Sequence, residues 1–104
     1  MAERTQFTLA MFSPHVGDAF RCQGQSGEDC QLQLVEATGR DGPEGAEPEQ
    51  FSLVFFDPDA SVDSYLPQAI YPLEHQTLGS LSIFIVPIGP DPQRNGMRYE
   101  AVFT

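Results

Sequence analysis

From Phe51 to Phe103 the chain is a succession of short apolar runs cut apart by turn residues. Runs of this length, rich in Phe, Ile, Val and Tyr and bounded by Gly, Pro, Asn and Asp, read as β-strands. Strands are predicted over 50–56, 69–74, 81–88 and 98–103. Alternation within each assigns its faces, because successive side chains of a strand point opposite ways. Phe51, Leu53 and Phe55 share one face, with Val54 and Phe56 on the other, so 50–56 reads as a central strand covered on both sides. Leu81, Ile83 and Ile85 lie opposite Phe84 and Val86, and Tyr99, Ala101 and Phe103 line one side of the last strand. Proline cannot donate to a ladder, so Pro72 predicts an edge strand or a bulge at 69–74, and Pro87 predicts the end of pairing for 81–88.

The first half supplies a hairpin, 19–23 with 31–38, through a loop containing Gly24, Ser26 and Gly27. If the turn is centred near Ser26, Cys22 faces Cys30 and Phe20 faces Leu32 in one register. That register puts Phe20, Cys22, Cys30, Leu32 and Leu34 on the core face. Cross-strand Cβ spacing of about 4.5–5.5 Å leaves a disulfide open beside the alternative of buried thiols. A metal or catalytic role for the two cysteines is the remaining alternative. Upstream, Phe7 and Met11 are four apart and Thr5 can cap, which predicts a short helix over 5–12 that ends before Pro14. Ser13 to Gly17 reads as a turn. The stretch 39–49, GRDGPEGAEPE, has no periodicity and reads as a mobile acidic loop. The expected fold is mainly β, one domain over 1–104: a small antiparallel sandwich or partly open barrel of about six strands with one short N-terminal helix.

Charge narrows the partners. Fifteen Asp and Glu against five Arg and no Lys leave a net charge of −10. Phosphate backbones are held by Lys and Arg, so nucleic acid and anionic membranes are not expected partners. The N-terminus lacks a basic segment followed by an apolar one, and no stretch approaches the roughly 18 apolar residues of a membrane span. A cytoplasmic location is the expectation.

Candidate chemistry is sparse. Asp57, Asp59, Ser61 and Asp63 alternate oxygen donors as Ca²⁺ loops do, yet Val62 and Gln68 stand where an EF-hand has its Gly and its bidentate Glu. Glu74 and His75 could be drawn as an acid and base, but neighbours on an extended segment face opposite ways. His15 could approach His75 only through the fold. No nucleophile elbow and no phosphate-binding glycine loop is present, so neither catalysis nor a cofactor is expected.

Phe12, His15-x-Gly17, Phe20, Phe51-Ser-Leu-Val-Phe55, Leu66-Pro-Gln68, Tyr71-x-Leu-Glu-His75, Leu78-Gly79, Phe84-x-Val-Pro-Ile88 and Tyr99-Glu-Ala-Val-Phe103 together resemble the DUF6916 family of small bacterial proteins. The likeness covers nearly the whole chain; Ala69 and Phe84-Ile85 depart slightly from the family pattern. It implies no activity. Family members often neighbour phage-tail-collar-like proteins, which implies an accessory or structural place in such an assembly. The first functional expectation is therefore a non-enzymatic domain acting by protein contact or self-association, with the proline-marked strand as its edge. The alternative is a ligand- or Ca²⁺-binding module using 57–63.

Overall fold

The alternation read from the sequence becomes the wall of a closed barrel in the computed structural model, which describes residues 7–24, 27, 29–39 and 50–103. Its strands are β1 (Ala19–Gln23), β2 (Asp29–Gly39), β3 (Phe51–Asp57), β4 (Ala69–His75), β5 (Gly79–Pro90) and β6 (Met97–Phe103). All pair antiparallel in the order β1-β2-β3-β6-β5-β4, and β4 returns to β1. The expected six-strand antiparallel architecture is present, closed rather than partly open.

Local chemistry places each element. In the first hairpin Phe20 pairs with Leu32 and Cys22 with Cys30, the register expected from the spacing. Phe20, Cys22, Leu32 and Leu34 are buried and Cys30 is half-buried. Inward residues of the other strands, among them Leu53, Phe55, Leu73, Ile83 and Ile85, complete one core. Burying each such side chain contributes about 1.5–3 kcal/mol. The outer side of β3 is covered as well: Val54 and Phe56 are buried, and the Arg94 guanidinium sits 3.9 Å above the Phe56 ring.

One mouth of the barrel is stoppered by α1 (Leu9–Phe12), which a 3-10 turn over Ser13–His15 continues. Phe12 is fully buried there, 6.2 Å from the Phe51 ring and 6.1 Å from that of Phe103. The helix is shorter than expected, with Thr8 as its cap: the Thr8 hydroxyl accepts from the Met11 amide at 3.2 Å. Thr5 lies outside the described residues, as do Ser26 and residues 40–49 of the acidic loop.

The prolines behave differently from their reading. Pro72 does not mark a sheet edge, because β4 is bonded on both sides, to β5 along its whole length and to β1 at Arg21↔Glu74 and Cys22↔Leu73. It stands one residue beyond the last β1 partner, where a missing N–H costs the ladder nothing. Pro87 does not end the pairing of β5. A register shift between Pro87 and Gly89 lets the ladder resume with Gly89↔Arg98, the usual way a bulge absorbs an extra residue.

Candidate functional site

The β1–β4 seam has only two paired positions, and beside it three polar side chains meet. The chain leaves the 3-10 turn through Gly17, whose φ of 101° suits a residue without Cβ. Asp18 is then fixed at the start of β1: its amide donates to the His15 carbonyl at 2.9 Å, and its carbonyl accepts from the Leu34 amide at 3.0 Å. His75 arrives from the far end of β4, where it pairs with Gly79 at the hairpin turn. Asp18 Oδ2 lies 2.9 Å from His15 Nδ1 and 2.9 Å from His75 Nε2. The two imidazoles meet edge to face with centroids 4.5 Å apart, and the Phe20 ring lies 4.7 Å from that of His75.

Burial divides the roles. The His75 side chain is 3% exposed and that of His15 19%, whereas Asp18 is 47% exposed and faces water on its remaining side. Hydrogen bonds from His75 and then His15 hold the Asp18 carboxyl below its ordinary pKa. The His75 tautomer follows from its neighbours: Nδ1 lies 3.0 Å from the Thr77 amide and 3.1 Å from that of Leu78. Two N–H donors aimed at Nδ1 make it an acceptor, so the ring proton sits on Nε2 and is donated to Asp18. His15 Nδ1 faces the same carboxylate oxygen, which can only accept, so its proton sits on Nδ1 and is donated to Asp18 as well.

Chemically, two imidazoles and a carboxylate are borderline ligands of the kind that first-row transition ions take. One ligand atom from each of His15, Asp18 and His75 lies within 4.8 Å of the others, and this is the one such convergence of three or more His, Cys, Asp or Glu among the described residues.

The residues singled out from the sequence are distributed unevenly. His15 and His75 do meet, whereas Glu74 points outward from the barrel, as alternation requires. Asp57 is buried at the end of β3, its Oδ1 accepting from the Asp59 amide at 2.9 Å, and burial raises its carboxyl pKa. Asp59, Ser61 and Asp63 are exposed; Ser61 Oγ accepts from the Asp63 amide at 3.2 Å, inside a tight turn closed by Ser61 and Ser64. The oxygens of this loop are therefore used in part by the turn itself. Asp18 was missed. Its signal was its place three residues after His15, with Gly17 between to reverse the chain.

Cys22 and Cys30 stand as thiols. No helix among the described residues is long and apolar enough to cross a membrane. Comparison with curated proteins and with solved structures gave no match. The family comparison did match, as "Domain of unknown function (DUF6916)", over residues 7–103, the span that holds the barrel and the His15–Asp18–His75 cluster, and the chain belongs to that family.

Proposed function

We propose that this barrel is a ligand-binding module, without catalysis of its own, whose ligand is a divalent transition-metal ion held by His15, Asp18 and His75. The convergence of their three ligand atoms within 4.8 Å carries the reading. A tetrahedral ion bound by three such groups keeps a fourth position for water, and the exposed side of Asp18 supplies the approach. The net charge of −10 draws cations toward the surface at long range. Nitrogen donors favour zinc, cobalt, nickel or copper over calcium.

Binding carries a defined cost. For His75 Nε2 to ligate, its proton must move to Nδ1, and the Thr77 and Leu78 amides that now donate to Nδ1 must turn away. Giving up each such bond costs about 0.5–1.5 kcal/mol, so affinity falls below that of a preformed site. His15 needs only to shift its proton from Nδ1 to Nε2.

Titration with Co²⁺ or Zn²⁺ tests this. Expected are one ion per chain, a higher melting temperature, visible Co²⁺ absorption of a nitrogen- and oxygen-ligated ion, and displaced Thr77 and Leu78 amide resonances. Ca²⁺ should leave these unchanged, and His15→Ala and Asp18→Asn should abolish the response. Absence of binding at millimolar Co²⁺ overturns the assignment and leaves the cluster as a clasp across the seam.

A second reading, contact with a protein partner or another copy of the chain, is favoured by a different observation. Barrel closure removes the expected edge, but Ile70 (67% exposed), Phe84 (49%) and Val102 (60%) project outward from β4, β5 and β6. A place in a tail-like assembly would use this row. Light scattering of the Phe84→Ser variant beside the parent checks it: equal masses at every concentration remove self-association.

A further inference from the structure

We infer that Cys22 and Cys30 form an oxidisable pair, a modification site at which a small-molecule disulfide converts two thiols into a bond between β1 and β2. The two residues are direct partners in the ladder, held in register by Phe20↔Leu32 on one side and Gln23↔Asp29 on the other. The Leu34 amide donates to the Asp18 carbonyl at 3.0 Å, which marks that position as a closely bonded pair. The two-residue alternation of antiparallel ladders then makes Cys22 and Cys30 a bonded pair too, with Cα atoms about 5.5 Å apart. Disulfides span about 4.4–6.8 Å between Cα atoms, a range this pair meets, and closing the bond asks only that the Cβ atoms draw in from about 5.5 Å to about 4.5 Å, a local adjustment of the two strands. Both side chains are on the inner face, and Cys30 Sγ already lies 3.5 Å from the Cys22 carbonyl oxygen.

Exposure assigns an order. Cys22 is fully buried and Cys30 is half-buried. The Cys30 thiolate attacks one sulfur of the small disulfide, and the first thiolate leaves. The Cys22 thiolate then attacks Cys30 Sγ, closing the internal bond and expelling the second thiolate. The two protons released by Cys22 and Cys30 are taken up by the two leaving thiolates. The chain loses two electrons and the reagent gains them. The bond ties residues eight apart in sequence, so it constrains the unfolded chain and raises stability as well as joining two strands. It also pins β1 beside the Phe20 ring, which packs on His75.

The full chain, folded, is incubated with oxidised glutathione and analysed by intact mass. The expected product is a monomer lighter by about 2 Da, without reactive thiols after denaturation, and melting several degrees higher until dithiothreitol reverses it. Cys22→Ala should instead stop at a lasting glutathione adduct on Cys30. A lasting adduct on the parent chain, a disulfide-linked dimer, or unchanged thiols under conditions that oxidise the denatured chain would each overturn the inference.

Discussion

At the scale of single residues, the Asp18 and Asp57 carboxyls are tuned in opposite directions. Asp18 meets two imidazole N–H donors and its charged form is favoured. Asp57 meets one backbone amide and is otherwise buried, so desolvation wins and its pKa rises. A carboxyl whose folded pKa lies above its unfolded value contributes stability below the unfolded value and loses it as pH rises through the folded one. Charged Asp57 is therefore a net cost at neutral pH. Asp57→Asn keeps an acceptor for the Asp59 amide while removing that charge. It should melt a few degrees above the parent at pH 7, and the gap should close as the pH approaches 3, where both side chains are neutral. A gap independent of pH would show that the charge is not its source.

Among elements, the β5–β6 connection shows how much one position can carry. Gly96 has φ of 137°, and a Cβ there would stand 2.6 Å from both the Asp57 carbonyl oxygen and the Phe56 ring. Gly79, at the β4–β5 turn, has φ of 80° but open space around it. Gly96→Ala adds overpacking against backbone to conformational strain and should cost about 2–4 kcal/mol. Gly79→Ala carries the strain alone and should cost about 1–2 kcal/mol. Urea midpoints at constant slope measure both, and equal losses would mean that the close approach at Gly96 is readily relieved.

Elements were also where the sequence spoke most clearly. All six strands were legible because their periodicity is local, and the Cys22↔Cys30 register followed from spacing around one short loop. The seat of Pro72 was not legible, since a proline looks the same at a sheet edge and just past the end of a barrel seam. The cluster was half legible. His15 and His75 could be named, but Asp18 meets a residue 57 positions away, and only barrel closure sets that distance. The alternating donors of 57–63 were legible in the sequence, but not that Asp57 Oδ1 and Ser61 Oγ also accept amides of their own turn, which only the folded loop shows.

For the whole molecule, closure depends on its shortest ladder. β1 touches β4 through two residue pairs, whereas β3 and β6 share seven. The Asp18–His75 hydrogen bond extends the short seam by a side-chain link next to Arg21↔Glu74. His75→Ala should therefore speed amide exchange at Arg21–Gln23 and Leu73–Glu74 at least tenfold, with far less change in β3 and β6. Uniform acceleration along all six strands would indicate global destabilisation instead.

A barrel that opens at one seam becomes a curled sheet with two bare strand edges, each able to recruit another chain. The intact molecule hides both at once, so its resistance to clumping rests on a few bonds at one place. Variants that loosen this closure should betray themselves in storage and expression, as slow precipitation, before a melting curve registers that they are weak.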